Sequence, residues 1–388
     1  MKKVLVWETS SSVAGGQKMT LTVMDLLKED CDFFCLIPGE GKLAEELRKR
    51  NIPYRLMGDQ SLPAGIKGKR VYFRYAWLSA KNILRSLGEI RRYGADVLYA
   101  PGPASLPWSA VCGALTGKPV IWHLHHLFMD GPTKKLLNLT SRWKAVRDII
   151  SVSQVVGDQI TNRPGHEKVT CVYNPVDTRR YEGGDAQKVL ADAEAALGRP
   201  VGGEKAPVLV QTAVLRKMKR QDLFLQVIQA LQQKGIPAAG ILVGEAITED
   251  DRAFKAELLQ RIEAGKLEQS IYLAGYRENV QDYLAAADFV FVPSDVEGLS
   301  LAAQEAMCAK RRLLATETGG VGELLRVADC GYLYPKDAAP EQIADIVIGA
   351  MGCDSSARIE NGYAFCRDHS PEAYRSSLRE IFSRGKKG

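Results

Sequence analysis

Short apolar runs alternate with stretches of helical periodicity from one end of the chain to the other. KVLVWET, CDFFCLIP, IPYRLM, VLYAPG (97–102), PVIWHLHH (119–126), DIISVS (148–153) and TCVYNPVD (170–177) read as strands. MTLTVMDLLKE sets Met19, Val23, Leu26 and Leu27 on one helical face, and GKLAEELRKRN reads as a second helix. Near-continuous apolar runs suit strands buried on both faces, and strands spaced by helices predict a parallel, doubly wound sheet. A second series follows in PVLVQTAV (207–214), AGILVG (239–244), IYLAGY (271–276), FVFVPS (289–294) and RRLLAT (311–316). Between the series the pattern loosens into a helix over 185–197, closed by Gly198, and the turn-rich RPVGGEKAP.

The predicted class is α/β, with two Rossmann-like doubly wound domains facing a cleft. The expected division is 1–180, a linker over 181–206, 207–370, and a terminal helix with a basic tail over 371–388 packing back toward the first domain. Ligands of such sheets bind outside the carboxyl ends of the strands, so residues just after strands carry the chemistry.

Composition narrows the function. The chain has 388 residues, 46% hydrophobic and 25% charged, which is ordinary for a globular protein. No apolar run is long enough to cross a bilayer. The apolar part of MKKVLVWETSSS ends at Glu8, too early for a signal peptide. Eight cysteines form no C-x-x-C pair. A reducing cytoplasm is therefore expected, with the inner face of the membrane as a compatible place. The net charge of +6 is uneven: residues 1–180 carry 27 Lys and Arg against 16 Asp and Glu, residues 181–388 carry 25 against 30. The segment 65–94 holds eight Lys and Arg against one Glu, with Tyr72, Phe73, Tyr75 and Trp77 interleaved. A basic amphipathic helix of this kind is compatible with an anionic membrane surface. The favoured expectation is that Ala76, Ala80, Ile83, Leu84, Leu87 and Ile90 pack on the sheet with the cations in water. No nucleic-acid module is recognisable.

Four clusters lie after strands. EGLSLAAQE brings Glu297 and Glu305 to either side of a predicted helix start near Leu299. Amides of Gly298, Leu299 and Ser300 there suit a diphosphate, and the two carboxylates suit sugar hydroxyls. A capping Glu and a solvated Glu are the plain alternative. Asp295 with Glu297 forms a D-x-E, for which helix capping is favoured over metal binding. RKMKR supplies Arg216, Lys217, Lys219 and Arg220 ahead of a helix, where cations oppose the helix dipole but would clamp a departing diphosphate. Gly15 and Gly16 permit close approach of backbone to a phosphate. WHLHH holds three of the five histidines, with no partners clustered for a metal.

Taken in order, these pieces resemble the retaining GT-B-fold glycosyltransferases of the large group 1, family 4 class. The early GG, HLHH, SVS (151–153), VYNPVD (172–177), RKMKRQD, LAGYRENVQDYLAAADFVFVPS, EGLSLAAQEAM, GGVGELL and GYLYPKDAAPEQIADIV carry the likeness across nearly the whole chain. The resemblance implies that Glu305 holds the donor ribose and that Glu297, Gly298, Leu299 and Ser300 face the donor sugar and diphosphate. It implies that Lys219 neutralises the leaving diphosphate, that Gly16 approaches the same phosphates, and that His125 lies near the transferred sugar. Backbone near Tyr276 and Arg277 would read the base, with UDP favoured over GDP, no cofactor and no metal.

The pattern departs where Ala213 or Val214 replaces an arginine, leaving Arg216 or Lys217 to substitute. It departs again where Lys310 and Arg312 replace a Gly and a Pro, and where His126 replaces an acid. The implied reaction moves a hexose-type sugar from a nucleotide diphosphate sugar to a hydroxyl acceptor, lipid-linked or soluble, with retention. A sugar-nucleotide 2-epimerase and a non-catalytic nucleotide-sugar-binding subunit remain alternatives.

Overall fold

The computed structural model describes residues 1–58 and 68–385. Residues 65–67 of the basic segment and Lys386 and Lys387 of the basic tail fall outside the described residues. The chain divides into two compact units, 1–174 with 371–388, and 175–370.

The first unit is built on β1 (Lys2–Trp7), β2 (Cys31–Ile37), β3 (Tyr54–Leu56), β4 (Val97–Ala100), β5 (Val120–Leu124), β6 (Val146–Ser151) and β7 (Val169–Cys171). Their order across the sheet is β3-β2-β1-β4-β5-β6-β7. Every pairing is parallel, with Val4 opposite Phe33 on one side and Val97 on the other. The second unit carries β8 (Val208–Thr212), β9 (Ala239–Val243), β10 (Ile271–Gly275), β11 (Phe289–Val292), β12 (Arg312–Thr316) and β13 (Tyr332–Tyr334). Its order is β10-β9-β8-β11-β12-β13, again all parallel. In each sheet the chain winds outward to one edge and then returns to the other side of its first strand. The order therefore reverses between β1 and β4, and between β8 and β11. These two reversals are the crevices where such sheets take ligands.

Burial explains why the strands are legible. Val4, Leu5, Val6 and Trp7 are buried along β1, as are all four residues of β11. In the second core Phe224, Phe289, Phe291 and Tyr334 pack with Leu223, Val227 and Leu231 of the helix Gln221–Gln233. Each such aliphatic or aromatic side chain contributes about 1.5–3 kcal/mol when taken from water.

Several boundaries differ from the sequence reading. The stretch expected as a linker, 181–206, belongs to the second unit. Its helix Ala186–Leu197 is capped by Asp185, buries Val189, Ala193 and Leu197, and packs on the helix Val280–Ala286. The helix expected from Met19 begins earlier, as Gly15–Leu27, so the glycine pair forms its first turn rather than a loop. β13 lies in GYLYP, which the strand reading passes over.

The helix Lys69–Tyr93 is rotated from its expected setting. Leu78, Asn82, Ser86, Glu89 and Ile90 are buried, whereas Ala76, Ala80 and Leu84 are exposed. Polar groups decide that rotation: Trp7 Nε1 donates to Ser86 Oγ at 3.0 Å, Arg55 pairs with Glu89 at 2.7 Å, and the Tyr75 hydroxyl donates to the Ala104 carbonyl.

The terminal helix Pro371–Ser383 joins the first unit. Tyr374, Leu378, Ile381 and Phe382 are buried there, and Arg147 donates to the Ile381 and Arg384 carbonyls.

Candidate active site

In the second unit the segment leaving β8 is fixed before it reaches its cations. Ala213 N donates to the Val243 carbonyl at 3.0 Å and Leu215 N to the Glu245 carbonyl at 3.2 Å. Gly244 lies so close that a Cβ there would sit 1.8 Å from the Ala213 oxygen. The 3₁₀ turn Lys217–Lys219 follows, and Arg220, at φ +52°, turns the chain into the helix Gln221–Gln233. Gln211 of β8 donates to the Lys219 carbonyl at 2.7 Å, and Asp295 N, beyond β11, donates to the Met218 carbonyl at 3.0 Å. Lys219 is thus held from both strands that border the crevice. Its Nζ lies 2.5 Å from Glu297 Oε1.

The loop after β11 completes the cluster. The Glu297 carbonyl accepts from Gly320 N at 2.8 Å. Ser300, rather than Asp295 or Glu297 as the capping reading had it, caps the helix Leu301–Cys308, accepting from Ala303 N at 3.3 Å. Capping satisfies one of the amides a helix start leaves without an intrahelical partner. Gly298, Leu299 and Ser300 lead into that start, and Glu305 stands in its second turn. Glu305 is hydrogen-bonded by Tyr181, a buried phenol of the 3₁₀ turn Thr178–Tyr181. Burial first, and then the Glu305 carboxylate, push that phenol well above its ordinary range.

The remaining cations are committed differently. Arg216, expected to substitute for a missing arginine, makes a two-pronged pair with Asp251, both contacts at 2.8 Å. The bonds from Arg216 hold the buried Asp251 carboxyl far below the usual range. Lys217 is exposed. Asp295, half of the D-x-E, faces Arg220 at 3.3 Å and Lys336 at 3.9 Å, so cations rather than a second acid surround it. Tyr276 is exposed after β10, and Arg277 hydrogen-bonds the Tyr272 side chain.

In the first unit the crevice lies between β1 and β4. Gly102, just past β4, approaches so closely that a Cβ would meet the Thr9 side chain at 2.8 Å. Glu8 is buried at the end of β1 and accepts from Thr20 Oγ1 (2.5 Å), Gln17 Nε2 (3.0 Å) and Thr9 N (3.3 Å). Burial raises its pKa against these bonds. Glu8 thereby pins the first turns of the helix Gly15–Leu27. A Cβ on Gly16 of that helix would come to 3.8 Å from His126 Nε2, so the glycine pair and the histidine cluster meet.

The histidines themselves stack at the end of β5. The rings of His123 and His125 are 4.0 Å apart, and the Tyr99 hydroxyl lies 2.6 Å from His123 Nδ1. Burial pushes His123 down to about 3. Burial, then the neighbouring His123 and His126, push His125 well below its ordinary value. His125 is therefore a neutral imidazole at physiological pH. Among the described residues its buried Nε2 has no hydrogen-bond partner.

A pH consequence follows from the direction of these shifts. Both histidines bind a proton more readily unfolded than folded, so stability is complete above about pH 6.5 and falls as pH drops below it. At pH 5.5 each costs roughly 1.4 kcal/mol relative to pH 7.5. Urea unfolding at the two pH values is expected to show this loss, and His123→Gln to remove about half of it.

Sequence reasoning brought Lys219, Glu297 and Glu305 to the carboxyl edge of the second sheet, and His125 to the carboxyl edge of the first with Gly16 near the histidine cluster. It missed Glu8, Tyr181, Gln211 and Asp251. Glu8 alone had a local signal, an acid closing an otherwise apolar strand.

Comparison with known proteins bears on the family and the fold. A family model described as "Glycosyl transferases group 1" matches residues 206–352, and one described as "Glycosyltransferase Family 4" matches residues 16–180. The N-acetyl-alpha-D-glucosaminyl L-malate synthase of Bacillus anthracis is 26% identical over 168 residues, 43% of this chain and 40% of its own length. The lipopolysaccharide core biosynthesis mannosyltransferase LpsB of Rhizobium meliloti is 28% identical over 40% of this chain and 42% of its own. The aligned region thus spans about two fifths of these relatives. Among solved structures, Anabaena HepE in complex with UDP superposes with a TM-score of 0.79 at 20% identity, covering 99% of this chain and 100% of that one.

Proposed function

The chain belongs to the group 1 glycosyltransferases of family 4, with the GT-B fold, and on that premise we propose that it is a retaining transferase moving a hexose-type sugar from a UDP-sugar to a hydroxyl acceptor. The observation that carries the reading is the Lys219–Glu297 pair at the β8/β11 reversal, beside the Ser300-capped helix start. A diphosphate needs a fixed cation and backbone amides, and a lysine held beside a helix start supports that reading.

In the proposed reaction the acceptor oxygen approaches the anomeric carbon on the face from which the diphosphate departs. The bond to the diphosphate oxygen breaks, and the sugar takes on oxocarbenium character. Negative charge grows on the departing group. Lys219 and the amides leading into the helix Leu301–Cys308 spread that charge without reorganising. Glu305 accepts from the ribose hydroxyls, with Tyr181 fixing its carboxylate. Glu297 is assigned to the sugar, and the role assigned to the neutral His125 is that of an uncharged hydrogen-bonding group, which avoids placing a cation against the developing oxocarbenium. Gly15 and Gly16 let backbone approach the phosphates. Backbone near Tyr276 and Arg277 reads the base. No step of this scheme draws on a metal. Lys217, exposed and next to the clamp, supplements Lys219, while Arg216 serves the loop.

UDP is favoured because HepE, of the same fold, is described in complex with UDP and with UDP-glucose. The sugars named for the relatives, N-acetylglucosamine, mannose and kanosamine, support a hexose-type donor for glycan or glycoconjugate assembly. Eight free cysteines support a reducing, cytoplasmic setting. No described helix is long and apolar enough to cross a membrane.

Thermal shift against UDP, GDP, ADP and their sugars tests the donor. A ligand at about a hundred times its Kd adds about 2.7 kcal/mol, a rise of roughly 5–10 °C for a unit of this size. UDP and a UDP-hexose are expected to give that rise. A response to GDP or ADP alone overturns the donor assignment. Anomeric NMR of the product decides the stereochemistry, and a β-product from an α-donor overturns retention.

A further inference from the structure

The amino ends of β12 and β13 lie at the edge of the second sheet opposite the crevice. There Arg311, Arg312 and Arg358 line a single recess with Met307, Tyr332 and Ser355. It measures about 260 Å³ including its open mouth. Arg311 donates through Nε to the Ala309 carbonyl at 3.1 Å, Arg312 through Nε to Ser355 Oγ at 3.0 Å, and Arg358 through Nη1 to the Gly331 carbonyl at 2.7 Å. The Arg312 guanidinium also rests over the Phe289 ring at 5.6 Å, and that of Arg358 over the Tyr332 ring at 5.0 Å. Each guanidinium is thus held by one hydrogen bond, and its other N–H groups have no acceptor among the described residues.

Their charge is not matched by the protein. Among the described residues none of the three forms an ion pair, although Asp288 acts on Arg311 and Asp354 on Arg312 from beyond ion-pair distance. Both carboxylates are engaged elsewhere: Asp288 accepts from Val208 N at 2.8 Å, and Asp354 from Ser356 N and Oγ at 2.9 and 2.6 Å. The adjacent Lys310, by contrast, is paired with Glu360 at 2.8 Å. Arg311 and Arg312 are half-buried, and burial lowers the pKa of Arg311. Half-buried cations without a partner cost stability. The carboxyl end of the helix Leu301–Cys308 favours one of them, through the Ala309 carbonyl, but not three. Arg312 is moreover one of this chain's departures from the family pattern, standing where a proline is usual.

A second feature points the same way. Ser355 is buried at the start of the helix Ser356–Asp368, yet its hydroxyl caps nothing there. It accepts from Arg312 and shares a hydrogen bond with the Tyr332 hydroxyl at 2.8 Å. Asp354 takes the Ser356 amide, and the next amides of the helix have no side-chain cap. A helix start favours negative charge, and Arg358 stands in this first turn.

We propose that this recess binds a phosphate dianion, free or as the end group of a phosphomonoester, with the guanidinium forks of Arg311, Arg312 and Arg358 around its oxygens. Guanidinium suits phosphate because its planar fork matches two oxygens and keeps its charge when half-buried. The recess is smaller than pockets that enclose a whole metabolite, so it takes one phosphoryl group. The proposal does not depend on sugar transfer.

The test is thermal unfolding of the whole chain in sodium phosphate and in sodium chloride of equal ionic strength. The Lys219→Met background is used, so that the crevice cation takes no part. Phosphate at about ten times its Kd is expected to raise the Tm by roughly 3–5 °C. Arg358→Gln, at an exposed side chain, is expected to weaken phosphate at least about tenfold while leaving the Tm in chloride within about 1 °C. An arginine with a structural role alone would lower the Tm equally in both salts, and a general salting effect of phosphate would raise parent and variant alike. Arg312→Lys keeps the charge and loses the fork, so its phosphate response is expected to fall between those of the parent and Arg358→Gln. Glucose 6-phosphate, with glucose as the inert control, separates the two sources. A midpoint concentration below that of inorganic phosphate assigns the site to a phosphomonoester, and one equal or above assigns it to free phosphate. No rise in phosphate, a rise that both variants leave intact, or equal losses in the two salts overturns the proposal.

Discussion

Lys219→Met is expected to lower kcat with a UDP-sugar by about a hundred- to a thousandfold, the usual effect of removing one fixed group that meets charge in the transition state. The structure makes the experiment more than a deletion. Lys219 Nζ and Glu297 Oε1 are 2.5 Å apart, and both side chains are largely shielded from water. Removing the lysine alone strands a carboxylate, so part of any loss would be structural. The double variant Lys219→Met/Glu297→Gln separates the two. It is expected to recover most of the Tm lost by the single variant and none of the kcat. Glu305→Gln should instead act through donor binding, raising KM by about ten- to a hundredfold through a weakened charged hydrogen bond. A Lys219→Met enzyme that keeps kcat within threefold of the parent removes the clamp from the mechanism.

Why were Lys219 and Glu297 legible as candidates in the sequence when the residues that hold them were not? Lys219 and Glu297 each follow a buried strand with an apolar run, VLV at the start of β8 and FVFV through β11. In a parallel sheet such runs fix where the carboxyl ends lie, and so where chemistry gathers. The supports act across distance. Arg216 looks like a second ligand cation because its partner, Asp251, lies 35 residues on, inside the capping box of the helix Glu249–Ala264. Tyr181 reaches Glu305 from a turn more than a hundred residues away.

The helix Lys69–Tyr93 failed for a related reason. A reading by hydrophobicity alone cannot know that Asn82, Ser86 and Glu89 find partners inside, so it turned the helix by roughly a third of a turn. β13 failed by size, since three residues between glycine and proline carry no periodicity. The strand ends and their chemistry were thus local information. The pairings that hold them were not.

Gly244→Ala is expected to be the most damaging single methyl group in the second unit. Two costs combine there. At φ +148° the backbone adopts a conformation that a side chain strains, and the added Cβ would lie 1.8 Å from the Ala213 oxygen and 2.7 Å from its carbon. Neither strand can easily give way. Ala213 N is bound to the Val243 carbonyl, Leu215 N to Glu245, and Gly244 N to the Gly275 carbonyl at 2.9 Å. A loss of about 3–4 kcal/mol is expected, lowering the Tm of this unit by roughly 10 °C. Gly235→Ala is the control. It also has positive φ, +77°, but nothing lies within 4 Å of its Cβ, so strain alone should cost about 1 kcal/mol. Where Gly244→Ala still folds, the accommodation must come from the Ala213–Arg220 segment, because that is the atom group struck. On the proposed role of Lys219, a displacement of about 1 Å in that segment is expected to cost about a hundredfold in kcat. Calorimetry with kcat on the same preparation decides the matter. A Gly244→Ala protein matching Gly235→Ala in both Tm and kcat would mean that this contact does not position the clamp.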